Sequence, residues 1–579
     1  MTHRGVGRWR FDLIFGLLLL SMGVLAYYLG WMVRRGRADE IRRARKCQRL
    51  VRPRPARPGS IFARTRNRYV LMAGSRRVPC AFVDPKVLAE EGFDGVAIGV
   101  GEALDLDPIE LQDIFFSRRG DRYVVVKRDI TAGEVEAVRA LGLRSVGIAY
   151  EWWREYPNGS LAATVLGFRR RDNVAGGGLE LSQDEHLAPV NGLQVSLGDV
   201  RRRPVWPVAE KSVTPSDGNN VFLCLDAVIQ GYLQRAVTES AQRFSAKWAT
   251  GVVVDPNTGQ ILAMCSAPTF DPNIYNRSQP NQQVNRAISV PYEPGSAAKW
   301  LFAAAAVDAG VMTYQTRIFC ENGSYHPRNG GRISDHGKRY GYLTLREVMV
   351  VSSNIGMAKT GEVLGNRRLW VAARRFGLGE KSGIWLPGES RGVVHPLRQW
   401  NGYSMRRVPF GQEVSTTALQ LAMAFSSLAN GGLLVKPRII GHIRGPDGEI
   451  TWRSRREVVR RVLSPSVAAE SLSVLQDVVE RGTGKACRMA RWTSFGKTGT
   501  AEIAGPTGYI EGAYTATFVG GAPASSPKVI CLISVYWPDK SRGYYGGTVA
   551  APQVKRVLER TLWYMGVPPD RPVNLAWAG

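Results

Sequence analysis

Twenty-one consecutive residues, Leu13 to Val33, carry no charge. A helix of that length rises about 30 Å, the thickness of a bilayer's hydrocarbon core. The run therefore divides the 579 residues into a short basic head, one membrane-spanning helix and a large remainder. A cleaved leader would have a shorter apolar stretch followed by a small-x-small cleavage site. Here the run ends in Gly30-Trp-Met-Val33 and then Arg34-Arg35-Gly-Arg37, which reads as an uncleaved anchor with Tyr27, Tyr28 and Trp31 at one interface. With 44% hydrophobic residues, 15 Trp and 18 Phe, the rest cannot be a disordered chain. Its length allows two to four domains.

The formal net charge is +28, and residues 34–77 hold sixteen basic side chains against two acidic ones. Clustered arginine attracts phosphate, but no nucleic-acid fold motif accompanies it. Beside an anchor, such a segment fits anionic lipid headgroups, so a membrane is the expected partner and nucleic acid is not. The seven cysteines, at 47, 80, 224, 265, 320, 487 and 531, include no Cys-x-x-Cys, and several lie in apolar runs. They read as buried thiols, with a disulfide possible outside the cytoplasm. The six histidines are scattered, so no metal site and no cofactor is expected.

Prolines in Arg52-Pro-Arg-Pro-Ala-Arg-Pro58 mark an extended linker, assigned to residues 34–58. Residues 59–215 read as mixed α/β: a helix after Asp107, a strand at Arg122 to Lys127, a helix from Ala132. Gly99-Val-Gly101, a fragment of a dinucleotide fingerprint without its third glycine, reads as a turn. A second domain spans residues 220–566. It opens with a helix capped by Asp226, followed by a strand pair across Pro256-Asn-Thr-Gly259. Thr515 to Val519 and Val529 to Val535 add strands, and a helix covers Ala551 to Met565. Residues 567–579 read as a loose tail.

Three short motifs then follow one another: Ser296-Ala-Ala-Lys299, Ser352-Ser-Asn354 and Lys497-Thr-Gly-Thr500, separated by 56 and 145 residues. Each alone is weak; a second Ser-x-x-Lys stands at Ser525-Ser-Pro-Lys528. Ser296 opens an alanine-rich helix closed by Gly310, so Ser296 and Lys299 share a face. A serine hydroxyl needs a neighbouring base, and lysine serves only if burial and nearby cations lower its pKa. Thr344 and Glu347 form a capping box, placing Ser352 and Asn354 at the end of a short helix. There Ser352 can relay a proton and Asn354 can hold a substrate carbonyl. Lys497 to Thr500 on an edge strand offers a cation and two hydroxyls to a carboxylate, and Gly499 leaves its backbone open to an extended peptide. The rival Gly388-Glu-Ser390-Arg-Gly392 lacks the strand and helix of a nucleophile elbow and reads as a loop.

In this order the motifs resemble those of the class B penicillin-binding proteins. The likeness extends through Arg154 to Phe168, Gly178-Leu-Glu180, Thr250 to Asn273, Pro409 to Thr416 with Gln420, and Asn430-Gly-Gly432. It implies an α/β (α+β) serine penicillin-recognising transpeptidase domain on a mixed α/β pedestal, with one N-terminal transmembrane helix. The implied activity is D,D-transpeptidation of peptidoglycan stem peptides ending in D-Ala-D-Ala, with acylation by β-lactams. By position, Ser296 is the nucleophile and Lys299 its base. Ser352, Asn354 and Lys497 complete the proton-transfer and positioning set, and Thr498, Gly499 and Thr500 bind the carboxylate. The backbone N–H groups of Ser296 and Thr500 form the oxyanion hole. Ser352-Ser-Asn354 and Phe410-Gly-Gln412 are similar to the septal, cell-division members. That implies a SEDS-family glycan polymerase and other divisome membrane proteins as partners. Elongation- and sporulation-type members, and a catalytically reduced divisome scaffold or sensor, are the alternatives. Arg57-Pro-Gly-Ser-Ile61 and Ala63 to Arg68 depart from the family's pedestal pattern. Arg4, Arg8 and Arg10 precede the anchor and Arg34, Arg35, Arg37, Arg42 and Arg43 follow it. The charge rule alone would put the large domain inside; the implied substrate puts it on the extracytoplasmic side of the cytoplasmic membrane.

Overall fold

The structure is a computed structural model that describes residues 7–199, 204–328, 331–506 and 508–572, without the side chains of 8, 36–49, 52 and 204. The chain forms two compact units, residues 1–57 with 189–217, and 58–188 with 218–579. In the first, a helix runs from Arg8 to Gln48, and its segment Trp9–Arg35 is apolar and long enough to cross a membrane. Its side chains are bare, as a lipid-facing helix requires: Phe15 is 66% and Leu20 68% exposed. Tyr28 stacks on Trp31 at 6.0 Å, and the Arg35 guanidinium lies 4.9 Å from the Trp31 ring centre. The helix continues past Val33 into residues assigned above to an extended linker. Ala, Arg, Glu, Lys and Gln between 38 and 48 are strong helix formers, and only the prolines from Pro53 on exclude helix. Arg49–Arg54 then pairs antiparallel with Gly192–Gly198. Arg57 donates its backbone N–H to Asp217 at 2.8 Å.

The second unit is built on two large sheets, with four two-stranded ladders besides. One joins Ile450–Arg453, Ile440–Arg444, Asn220–Asp226, Ile61–Arg64, Tyr69–Val83 and Val124–Arg128 in that order, with Val146–Glu155 also on Tyr69–Val83. Its strands come from both sides of residue 220, so a continuous ladder crosses the division drawn at 215–220. The connections from Tyr69–Val83 to Val124–Arg128 and on to Val146–Glu155 form a small helical cap. The Gly99-Val-Gly101 segment expected as a turn is helical there, within Phe93–Leu104. Val96, Ala97, Val100 and Leu104 recur at helical spacing and are all buried, and that periodicity outweighs two glycines. Gly101 also has a packing reason, since a Cβ there would stand 2.8 Å from the Leu106 carbonyl oxygen.

The catalytic sheet has five strands, ordered Ile261–Ala267, Trp248–Val254, Val529–Tyr536, Gly508–Ala522 and Phe495–Gly505, all antiparallel. Every residue of Trp248–Val254 and Ile261–Ala267 is buried, because helices cover both faces. Ala227–Arg243, capped by Asp226, packs with Ala551–Met565 on one face. On the other lie Lys299–Asp308 and Ala418–Ala429, which is buried along all but its last residue. Trp300 meets Phe376 and Phe425 edge-on at 5.4 Å, and Phe425 stacks on Phe495 at 5.6 Å. That aromatic column ties the helix after Ser296 to the strand bearing Lys497. The tail expected to be loose from 567 is instead tied down as far as 571. Asp570 accepts from the Thr493 backbone N–H at 2.6 Å, and Arg571 pairs with Glu480. Residues 573–579 of that tail lie outside the described ones. The six cysteines whose side chains are described are all buried and unpaired with one another.

Candidate active site

Ser296 lies in a short 3-10 turn, Gly295–Ala298, that runs directly into the helix Lys299–Asp308. The turn is held from two sides by glycines. Gly295 has φ 52, and a Cβ at Gly411 would stand 2.1 Å from the Gly295 carbonyl oxygen. Ser296 is half-buried, and Lys299, three residues on along the same face, is fully buried.

The second motif arrives as its capping box dictates. Thr344 caps Leu345–Val351, accepting from the Glu347 N–H while the Glu347 carboxylate accepts from Thr344 N–H. The helix ends at Ser352, which has φ 63. That left-handed conformation is uncommon for a residue with a Cβ. It reverses the chain so that Ser352 offers both its hydroxyl and its carbonyl to the same point. Lys299 Nζ donates to Ser352 O at 2.6 Å and to Asn354 Oδ1 at 2.7 Å, and lies 3.3 Å from Ser352 Oγ. Lys497 Nζ reaches the same hydroxyl at 2.8 Å and also donates to Thr498 O at 3.1 Å. One serine oxygen thus bridges two buried amines. Asn354, expected to hold a substrate carbonyl, turns its amide oxygen to Lys299 and donates Nδ2 to Ser334 O at 3.1 Å.

Burial disfavours both ammonium ions. It pushes Lys299 down to about 7, against the opposing pull of the Asp335 carboxylate. Lys497 is pushed well below its ordinary value by burial and by the charge of Lys299. Two cations that share one hydroxyl repel each other, so the pair titrates together and near neutrality one amine is free to accept a proton.

Asp335 is the residue that motif reading missed. Its Oδ2 accepts from Ser353 Oγ at 2.7 Å, and its Oδ1 accepts from the backbone N–H groups of Asn354 at 2.6 Å and Ile355 at 3.1 Å. It therefore clamps the start of the helix Asn354–Arg375 and fixes the turn that carries Ser352. Its contacts lie eighteen to twenty residues away across a loop, so no local pattern marks it.

Lys497 to Thr500 lies on Phe495–Gly505, the outer strand of the sheet, as expected. Thr498 Oγ1 and Thr483 Oγ1 are 3.0 Å apart, and Thr500 Oγ1 accepts from the Gly546 N–H at 3.1 Å. Gly499 has a second reason beyond the one read from sequence. A Cβ there would stand 2.7 Å from Pro294 O and 2.8 Å from Ala297 Cβ, in the turn that bears Ser296. Gly499→Ala should push nucleophile and strand apart by a fraction of an ångström and slow acylation by about 10²-fold. Stopped-flow acylation by a chromogenic cephalosporin measures this, and a wild-type rate would show that the strand gives way instead. Sequence reading also missed Tyr514, Tyr544 and Tyr545, whose rings lie 4.6 and 4.2 Å apart in succession and lead into Gly546 beside Thr500.

The rival serines are not built this way. Ser525 is exposed and donates to Asp570 at 2.6 Å, and Lys528 is exposed. Ser390 lies in a loop, its hydroxyl accepting from Gly392 N–H at 3.1 Å. Among the described residues no group of His, Cys, Asp or Glu is arranged to hold a metal ion.

A serine three residues before a buried lysine, a second serine bridging two amines and a lysine-bearing edge strand are the parts that a serine acyl-transferase of the penicillin-recognising kind would use. Residues 249–559 match the penicillin binding protein transpeptidase domain. The chain is 30% identical over 532 residues to the probable peptidoglycan D,D-transpeptidase PenA of Neisseria meningitidis serogroup A, covering 91% of this chain and 88% of that one. It is 26% identical over 585 residues to the peptidoglycan D,D-transpeptidase FtsI of Escherichia coli, covering 98% and 94%. A crystal structure of penicillin binding protein 3 from Mycobacterium tuberculosis with aztreonam superposes with a TM-score of 0.69 at 28% identity, over 90% of this chain and 99% of that one. The chain belongs to the penicillin-binding proteins, as a class B member and a serine-type peptidoglycan D,D-transpeptidase.

Proposed function

We propose that Ser296 carries the acyl-enzyme, Lys299 is its base, and the protein cross-links stem peptides during septal wall synthesis. The observation that carries the residue roles is the single Ser352 hydroxyl held between two buried amines. In its neutral form Lys299 accepts the Ser296 proton as Oγ adds to the carbonyl carbon of the penultimate D-Ala. The N–H groups of Ser296 and Thr500 stabilise the resulting oxyanion. As the C–N bond breaks, the proton passes through Ser352 to the departing D-Ala amine, leaving an ester on Ser296. Lys497, Thr498 and Thr500 hold the terminal carboxylate, and Lys497 carries the shared proton while that carboxylate is bound. An amine of a neighbouring stem peptide then attacks the ester, loses a proton to the same relay and regenerates Ser296. A β-lactam enters the first half-reaction, but its leaving amine stays tethered in the opened ring, and the ester persists.

The large unit works outside the cytoplasmic membrane, where its substrate lies, with the helix Trp9–Arg35 as anchor. The septal assignment rests on Ser352-Ser-Asn354 and Phe410-Gly-Gln412, and it brings a SEDS-family polymerase and other divisome proteins as partners. Purified full-length protein in detergent, given nascent glycan strands bearing pentapeptide stems, should release D-Ala and form cross-linked dimers, both blocked by penicillin. Hydrolysis without dimers would make it a carboxypeptidase, and acylation without turnover a sensor or scaffold. Depletion in the source organism that gives filaments supports the septal role; rounded cells would assign it to elongation.

A further inference from the structure

Away from Ser296, a cavity of about 250 Å³ opens between the end of the strand Val146–Glu155, the turn at 169–171 and the segment Pro272–Arg277. Five arginines line it, Arg154, Arg169, Arg170, Arg171 and Arg277, and no acidic residue does. Two of the five, Arg154 and Arg169, are paired from behind with Glu180 and Asp184. Glu180, fully buried, accepts from Arg154 Nε at 2.6 Å and Arg169 Nε at 3.0 Å. The remaining charge faces the cavity: Arg170 pairs with exposed Asp172, and among the described residues Arg171 and Arg277 make no ion pair.

Two buried donors at this wall lack acceptors. Arg154, whose side chain is 2% exposed, leaves Nη2 without a hydrogen-bond partner, and the indole N–H of Trp153 is likewise unpaired. Buried donors are normally satisfied, so two orphans beside one cavity mark a place where an acceptor belongs. Trp152, Trp153 and Tyr275 add aromatic surface to the same walls. The floor is rigid: Asn273 accepts from the Tyr156 backbone N–H at 2.9 Å and donates back to its carbonyl at 3.0 Å.

We propose that this cavity binds a sugar-sized group bearing a carboxylate or phosphate, supplied by the peptidoglycan strand itself. Guanidinium forks pair with such oxyanions, and aromatic walls suit the apolar faces of a sugar ring. The volume is smaller than the ~300 Å³ at which drug-sized sites begin, which fits one acid-bearing unit of the strand. Headgroups of a membrane and the backbone of a nucleic acid call for an extended basic face, whereas this site is a concave pocket. The choice of a wall glycan rests on the transpeptidase reading; the oxyanion chemistry does not. Occupancy would seat a strand on the protein at a point separate from the stem peptide that reacts.

The test uses the full-length protein in detergent, its Ser296 first blocked with penicillin, titrated by calorimetry with a muramyl tripeptide that lacks D-Ala-D-Ala. Saturable binding is expected, displaced by inorganic phosphate and weakened about tenfold or more by Arg171→Glu with Arg277→Glu. Both side chains are exposed, so that variant should fold and take up penicillin normally. Equal binding by wild type and the double variant overturns the proposal, as does no saturable binding by a protein that labels fully. Binding of anionic phosphatidylglycerol vesicles but not of the muramyl peptide overturns the glycan ligand. Failure of the wild type to label at all is a different result, and it strikes the transpeptidase reading instead.

Discussion

Alanine in place of Ser296 should abolish covalent labelling by a fluorescent penicillin, whereas alanine in place of Ser525 should leave it unchanged. Both serines stand three residues before a lysine, so the motif alone cannot separate them. Their surroundings do. Lys299 is fully buried, pushed down to about 7, and bonded to a turn that also reaches Lys497. Lys528 is exposed, and the Ser525 hydroxyl is committed to Asp570. Loss of the attacking oxygen removes the ester entirely, and in other serine enzymes the same deletion slows turnover by about 10⁶-fold. Gel fluorescence with peptide mapping of the adduct reads the result directly. Labelling that survives in Ser296→Ala, or an adduct mapped to Ser390 or Ser525, would overturn the assignment of the nucleophile. Because Ser296 lies on a turn held by Gly295, Gly411 and Gly499 rather than by its own hydroxyl, the variant should keep the wild-type melting temperature.

Much of this arrangement was legible because the signals are local. Asp226 caps its helix, and Thr344 with Glu347 forms its box, from patterns only three or four residues long. Lys497 to Thr500 read as an edge strand, and it is the outer strand of the sheet. What stayed hidden depends on contacts between distant segments. Asp335 acts on Asn354 across a loop, and the fit of Gly499 against Pro294 joins parts of the chain two hundred residues apart. The tyrosines at 514, 544 and 545 converge only because two strands and a loop bring them together. Where local cues misled, a competing pattern was present: two glycines implied a turn, while Val96, Ala97, Val100 and Leu104 carried a helical period. The prolines of the linker likewise drew attention from the helix-forming residues before them.

Acylation should rise with pH through about 7 and then level off, and Lys299→Met should leave a flat residual rate about 10³-fold lower. At its ordinary value of 10.5 a lysine is neutral to only about 0.03% at pH 7, whereas an amine at about 7 is half neutral. Burial thus raises the fraction able to accept the Ser296 proton by more than ~10³, and a general base contributes about 10²–10⁴-fold. The sign follows from the protonation state: below the midpoint Lys299 is an ammonium without a lone pair, and the rate falls about tenfold per pH unit. Lys299→Arg keeps the charge but stays protonated, so it should be as slow as Lys299→Met. The midpoint belongs to the coupled Lys299–Lys497 pair rather than to either amine. Asp335→Asn separates the two effects of that carboxylate. Removing its negative charge releases the proton from Lys299 more readily and moves the midpoint to lower pH. Weakening its bonds to Ser353, Asn354 and Ile355 loosens the Ser352 turn and lowers the plateau, by about tenfold. A lowered plateau with an unmoved midpoint would reduce Asp335 to a purely mechanical clamp. A profile flat from pH 5.5 to 9 in the wild type would remove Lys299 as the base and leave Ser352 to draw the proton through Lys497.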